Sequence, residues 1–402
     1  FFKVVYSRYT NFSIESIRQN FNQQLQRKGG QSVATISRRA DLIYKTYLVL
    51  SNTDGHISTD YGHNVIDFID IEIGGQLIDR HYGHFMEAWA ELTENNPTGS
   101  RAFISGIQET HHQLINNASS TSTISNLPNY FTKFQAMACA GGVNGSLQPT
   151  EKTCQINQDL YVPLRFWFCK EPGLALPLIA LQYHEVKIIV NFSDALQSTS
   201  QDLWCDYIYL DTDERRRFAQ VSHEYLIEQV QLNTFSVGDG AQTYDLNFNH
   251  PVKELIWCKP QPTWNIKTHY LSSFNTLINL NKGPNILLKL NRHDRFEKRN
   301  ITYFTNQQVC QYHTGKPVDH IDSAYWAAAP SFCKSFMLAV YSFCLKPEEH
   351  QPSGTCNFSR IDSSQLITDG VFGNGAGSLY IYAINYNVLR IMGGMGGLAY
   401  SN

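Results

Sequence analysis

His81, His84 and Glu87 stand at i, i+3 and i+6. On a helix they would roughly share a face, and two imidazoles with a carboxylate are a donor set for a zinc-like ion. The competing reading is a loop and short helix carrying polar surface groups, and it is preferred. His111-His112 has no spaced partner. Asp211 and Asp213 could work as paired carboxylates, but Arg215-Arg216-Arg217 follow them, which points to ion pairing in a locally neutralised turn. Gly393-Gly394-Met395-Gly396-Gly397 lacks the Lys-Ser/Thr that grips a phosphate and is read as close-packed backbone or a flexible crossing. There is no GxSxG elbow, Walker A loop or HExxH pair. No catalytic, metal or cofactor-binding residue is assigned, and the expectation is a protein that is not an enzyme.

The elements that would position any such group are strands. Short apolar or alternating runs cover residues 41–51, 65–73, 161–168, 185–192, 225–230, 251–257, 277–280, 286–290, 336–343 and 379–384. Gly, Pro, Asn and Ser clusters separate them. Helical periodicity is scarce: residues 85–92 predict one short helix, and 14–24 are ambiguous. Aromatic residues reach 13% and charged residues only 17%, a balance that favours pleated sheets. Residues 94–159 form a long polar region, expected as an elaborated exposed loop.

The bulk numbers exclude several classes. A net charge of −3 gives no electrostatic case for wrapping nucleic acid. No apolar run approaches the ~18 residues of a membrane span. The chain opens on Phe1-Phe2-Lys3 without an initiator Met or a signal peptide, which suggests a start inside a longer gene product. Nine cysteines show no CxxC and no disulfide framework, so buried free thiols in a reducing compartment are expected.

A short phrase occurs twice. Phe168-Cys169-Lys170-Glu171-Pro172 has Pro177 five residues on, and Phe343-Cys344-Leu345-Lys346-Pro347 has Pro352 five residues on. Each copy ends a strand-like run, as expected of one β unit used twice. Residues 71–80 and 288–295 add a second parallel: strand, turn, charged pair. A boundary near residues 211–218 gives an expected first unit over 1–212 and a second over 213–402. On this reading Cys169 and Cys344 occupy equivalent strand ends, as do Pro172 and Pro347. Asn-x-Ser/Thr sequons occur at Asn11, Asn117, Asn144, Asn191, Asn300 and Asn357; Asn117 and Asn144 fall in the polar loop and are the candidate glycosylation sites.

Longer phrases carry a resemblance. FFKVVYSRYTNF at residues 1–12, residues 73–80, GLALPLIALQYHEV at 173–186, DERRRFAQ at 213–220, QPSGTCNFSRID at 351–362, NYNVLR at 385–390 and the ending 393–402 together resemble the major capsid proteins of nucleocytoplasmic large DNA viruses of the iridovirus, phycodnavirus and marseillevirus type. The resemblance runs the length of the chain. It implies an all-β double jelly roll, two eight-stranded sandwiches side by side with long loops and a few short helices. It implies a late structural protein that self-assembles into homotrimeric, pseudo-hexagonal capsomers tiling an icosahedral shell. Expected partners are further copies of the chain, minor capsid and penton proteins, and the inner viral membrane through a segment preceding Phe1. Its expected location is the virion, with assembly in the host cytoplasm. Two other classes fit less well. A lectin-like glycan-binding jelly roll needs exposed aromatics beside a calcium cage, and no Asp-rich loop for that cage is evident; contact of outer loops with host glycans is compatible with a shell protein. A cupin-like enzyme needs metal ligands on alternate strand positions, which His81 and His84 do not occupy.

Overall fold

The computed structural model describes residues 10–26, 28–53, 61–94, 133–141, 159–260, 274–275, 283–315, 338–372 and 377–401. Its strands form four antiparallel sheets. Eight strands make the main path of the first pair of sheets, with the two-residue strand Leu176–Pro177 paired to β3 beside it: β1 (Phe12–Gln19), β2 (Gly30–Thr35), β3 (Leu42–Thr53), β4 (Ile66–Ile73), β5 (Gln76–Tyr82), β6 (Leu160–Pro163), β7 (Val186–Phe192) and β8 (Ser198–Leu210). They pair in the orders β1-β8-β3-β6 and β2-β7-β4-β5. The second pair uses β9 (His223–Val237), β10 (Gln242–Asp245), β11 (Pro251–Pro260), β12 (Asn285–Leu290), β13 (His293–Asp294), β14 (Leu338–Ser342), β15 (Ser364–Thr368) and β16 (Gly377–Met392). These pair as β9-β16-β11-β14 and β10-β15-β12-β13. The two sets have the same order, strand for strand. β17 (Met395–Leu398) hairpins onto β16.

Alternation explains the layers. Leu203, Cys205 and Tyr207 of β8 and Leu48 and Leu50 of β3 face Ile69 and Ile71 of β4 and Ile188 and Val190 of β7 in the first core. Leu255 and Trp257 of β11 and Ile381 and Ala383 of β16 face Ile286, Leu288 and Leu366 in the second. Each of the Leu, Ile and Val side chains among them contributes about 1.5–3 kcal/mol by leaving water. The hairpins β4–β5, β12–β13 and β16–β17 all close through two residues with positive φ: Gly74-Gly75, Asn291-Arg292 and Gly393-Gly394. Such turns match the twist of the strands they join. The glycine-rich stretch near the C-terminus is therefore a hairpin, and the 71–80 and 288–295 segments are equivalent hairpins.

Several segments depart from the sequence reading. The strand expected over 161–168 stops at Pro163, and Trp167–Cys169 is a 3-10 turn. Phe166, Trp167 and Phe168 are all buried, with ring centroids of the outer two 5.9 Å apart. A strand would send alternate rings to opposite faces; the tight turn brings all three inside. The repeated phrase follows equivalent strands, but not in the same register. The first residue past β6, Leu164, donates to the carbonyl of Thr46, whereas the first past β14 is Phe343 itself, which donates to the carbonyl of Lys253. Phe168-Cys169 thus comes four residues later than its counterpart. The segment expected as a neutralised turn after Asp211 is a helix, Thr212–Gln220. The 277–280 strand and most of the 94–159 region lie outside the described residues.

A buried seam and two outer sheet faces

The helix α1 (Tyr61–Asn64) precedes β4, and α2 (Gly83–Thr93) follows β5. α2 starts where a Cβ on Gly83 would lie 2.1 Å from the carbonyl oxygen of Ile66, so glycine is required for that close approach. Phe85, Ala88, Trp89 and Leu92, spaced as one helical face, pack on Ile256, Cys258, Leu338, Val340, Tyr382 and Ile384. Those six residues form the outer face of the second pair's β9-β16-β11-β14 sheet. Met86, to one flank of that stripe, inserts into the first core. One helix therefore joins both sheet pairs.

Charged groups line the seam beside α2. Glu228 of β9 accepts from Lys253 Nζ at 2.8 Å, and its other oxygen takes Lys170 from the connection after β6. His350 Nδ1 lies 3.3 Å from the same carboxylate. Burial alone would raise the Glu228 carboxyl; Lys170 and Lys253 outweigh it and hold the group well below the usual carboxylate range. The Lys170 and Lys253 ammonium groups lie 5.5 and 6.0 Å from the Trp89 ring centre. Farther along, His313 meets Glu254 Oε2 through Nε2 and Glu348 Oε1 through Nδ1, each at 3.1 Å. Only an imidazolium donates through both nitrogens. Burial pushes His313 down, but the two carboxylates prevail and raise it to about 9. Next to it, Thr314 Oγ1 donates to the Thr93 carbonyl at 3.1 Å and Gly315 N to the Leu92 carbonyl at 2.7 Å, tying the second pair to the end of α2. This arrangement clamps two sandwiches; it holds no activated nucleophile.

The residues singled out in the sequence are dispersed. His81 lies on β5, not a helix, with Nε2 2.9 Å from Asp79 and its ring stacked on Phe166. His84 sits edge-on to Tyr380 and Tyr382, and burial drives it down to about 3. Glu87 meets His63 Nδ1 at 2.6 Å and the Gly141 N–H at 2.9 Å. The three thus face different partners, and no group of three metal-ligating side chains occurs among the described residues. Arg215 belongs to α3 (Thr212–Gln220), where Asp211 caps the first turn. Its guanidinium reaches back 2.7 Å to Asp41 on the first pair rather than neutralising Asp211 or Asp213. Asn117, Asn144 and His111-His112 lie outside the described residues. Of the other sequons, Asn11 is exposed, while Asn191, Asn300 and Asn357 sit half-buried on or beside strands. The described cysteines are free thiols; Cys205, Cys258 and Cys344 are buried, but Cys310 is exposed. Among the described residues no helix is long and apolar enough to cross a membrane.

Sequence reasoning missed Glu228, Lys253, Glu254 and His313. One signal was available: Lys253-Glu254 interrupts the apolar run of β11, and charges in a buried strand need partners.

The first pair's equivalent sheet has a different outer face. Leu42 and Ile208 are covered there by Ala175 and, in part, by Phe218 of α3. Strand register then places Phe12 and Ile14 of β1, Trp204 of β8, Tyr47 of β3 and Tyr161 of β6 on the same face. Phe12 is 57% and Ile14 50% exposed.

Comparison with known proteins agrees with this architecture. Residues 1–211 match the family model "Major capsid protein N-terminus", and residues 214–397 match "Large eukaryotic DNA virus major capsid protein". The chain is 42% identical to the major capsid protein of Pyramimonas orientalis virus over 421 residues, covering all of this chain and 94% of that protein. It is 34% identical to the major capsid protein of Paramecium bursaria Chlorella virus 1, again over all of this chain and 94% of the relative. The PBCV-1 capsid structure superposes with a TM-score of 0.72 at 33% identity over the full length of both chains. The Faustovirus major capsid protein, at 10% identity and a TM-score of 0.63, shares the fold. Two sandwiches with one shared order of eight strands and these matches together make this a double jelly roll, and the chain belongs to the major capsid protein family of large eukaryotic DNA viruses.

Proposed function

We propose that this structural protein of the virion works as a homotrimer whose six sandwiches give a pseudo-hexagonal tile of an icosahedral shell. The observation that carries the reading is the duplication: two sheet pairs of identical strand order joined through a seam that uses different surfaces of each. We take residues 1–212 as the first sandwich and 213–402 as the second, with α3 as the connector. A chain of two like units in a three-fold ring presents six similar sides, so tiles can pack edge to edge. The contact between copies is then heterologous, one face meeting a different face of the next copy. A closed shell cannot be made of hexagons alone, so separate penton proteins complete its vertices and minor capsid proteins bind between tiles. Asn117 and Asn144 are proposed to carry any glycan on the outer loops. Assembly takes place in the host cytoplasm.

Native mass spectrometry of the purified chain tests this. The expected mass is three times the 45.8 kDa chain, with triangular or hexagonal outlines by electron microscopy. A monomer at every concentration would sink the reading.

A further inference from the structure

An antiparallel ladder in the second sheet pair opens at one point. On one side of the gap β10 pairs with β15, and the Leu246 N–H donates to the Ser364 carbonyl at 2.8 Å. On the other the Phe358 N–H donates to the His250 carbonyl at 3.0 Å, and Pro251 of β11 pairs with Asn357. Between these anchors residues 247–249 face residues 359–363, so the longer segment must bow outward. Two features hold it there. Phe358–Arg360 coils into a 3-10 turn, and the side-chain oxygen of the hairpin residue Asn291 takes the Asp362 N–H at 2.8 Å. The result is a groove of about 530 Å³, within the ~300–1,000 Å³ range of small-molecule sites. Phe248 and Phe358 line it, with ring centroids 6.0 Å apart. Extended alternation points the backbone N–H groups of Asn247 and Asn249 away, toward Asn233 and Gln231, and turns the N–H and C=O of Phe248 into the gap. Among the described residues nothing pairs with that N–H or C=O. Asn247, Asn249 and Asp362 also line the groove, and among the described residues their side chains make no hydrogen bond.

We propose that this groove binds a neutral pyranose sugar. A sugar hydroxyl both donates and accepts, and the groove answers both needs. The Phe248 N–H and the amides of Asn247 and Asn249 donate; the Phe248 carbonyl and the carboxylates of Asp245 and Asp362 accept. One oxygen of Asp245 already takes Gln365 Nε2 at 2.8 Å, which fixes the group and leaves its other oxygen open. Neighbouring ring hydroxyls can share the two oxygens of the Asp362 carboxylate in charge-assisted bonds. Phe248 and Phe358 offer an apolar floor to the C–H face of the ring. Other ligand classes fit less well. Two carboxylates repel an anion. A calcium-like cation wants ~6–8 oxygens, and the Phe248 N–H would point at it. An added peptide strand needs a row of unpaired groups, whereas here a single residue is unpaired between two closed ends. The inference is independent of the trimer reading.

The test is saturation-transfer difference NMR on the purified full chain in EDTA. The probes are the methyl α-glycosides of glucose, mannose and galactose, with N-acetylneuraminic acid as the anionic comparison. At least one neutral glycoside should receive saturation with a Kd of ~1–10 mM, the strength expected of a single ring. N-acetylneuraminic acid should bind at least about tenfold more weakly. Asp362→Ala and Asn249→Ala should each weaken the neutral glycoside about tenfold. Both side chains are exposed, so the melting temperature should stay within about 2 °C of the parent. Asn306→Ala, at an exposed amide elsewhere on the second pair, should leave binding unchanged. If none of the three neutral glycosides receives saturation at ~20 mM, the groove is not a sugar site. If both groove variants bind like the parent, the sugar sits elsewhere and the assignment fails. If the acid binds as well as the neutral sugars, the charge argument is wrong and the neutral class falls with it.

Discussion

The outer faces of the two like-ordered sheets have opposite fates. On the second sheet pair, Ile256, Cys258, Val340, Tyr382 and Ile384 are sealed by α2 and flanked by buried ion pairs. On the first, Phe12, Ile14 and Tyr161 remain exposed. The strand order is the same; the difference lies in the segments after β5 and β13. After β5 comes an eleven-residue helix with an apolar stripe. In the second pair the corresponding stretch holds a π-helix (Tyr303–Gln307) and a short α-helix (Gln308–Tyr312), whose exposed side carries Asn306, Gln307, Cys310 and Gln311. A duplicated fold thus covers one outer face within the chain and leaves residues of the equivalent face exposed.

The sharpest way to break this comparison is at the sealed face. Glu228→Ala leaves Lys170 and Lys253 without their shared carboxylate, and breaking a buried pair by removing one partner costs about 3–5 kcal/mol. Urea unfolding should report that loss. Trp89→Ala removes the largest side chain of the α2 stripe and should cost about 3–5 kcal/mol, with strands of both pairs losing amide protection together because α2 contacts both cores. A loss confined to one pair would show that α2 does not couple them.

The His313 clamp predicts a pH dependence. Its folded value of about 9 lies above the ordinary 6.5. The stabilisation is therefore fully present below about pH 6.5 and disappears as pH rises through about 9. Melting temperatures measured from pH 6.5 to 9.5 should fall in the parent and be flatter in His313→Gln. Equal slopes would mean that the imidazolium is not what joins Glu254 to Glu348.

Smaller effects compare the equivalent hairpins. Gly74-Gly75 adopt positive φ freely, whereas Arg292 is held at φ 66°. Arg292→Gly should stabilise the protein by up to about 1 kcal/mol in chemical denaturation, the relief of left-handed strain offset by greater freedom of the unfolded chain. The smallest change is expected at the bare face. Phe12→Ser should alter monomer stability by less than about 0.5 kcal/mol, in contrast to Trp89→Ala on the sealed one. A large loss at Phe12 would mean that the first face is sealed within the chain as well.

Much of the sheet architecture was legible because alternation and turn residues are local signals. β4, β7, β12 and the short helix α2 lie close to their expected positions. The Phe166-Trp167-Phe168 turn was not legible, since three adjacent aromatics read as strand until the core shows that all must point one way. The His81, His84, Glu87 set looked plausible by spacing alone. It dissolves because a strand-to-helix junction separates His81 from the other two, and His84 and Glu87, one turn apart on α2, are taken up by different partners, Tyr380 and Tyr382 for one and His63 and Gly141 for the other.

Periodicity and contiguous phrases were enough to establish the β class, the duplication and the family likeness, because each of these is written in neighbouring residues. The pairing of charges is not, and it emerges only from the folded chain. Glu228 meets Lys170 and Lys253 from separate strands and connections, and His313 lies 59 residues from Glu254. Pairing across such distances depends on strand order and sheet packing, not on the neighbours of each residue in the chain. The same holds for the two outer faces: their strands read alike, and only the placement of α2 leaves one covered and the other open.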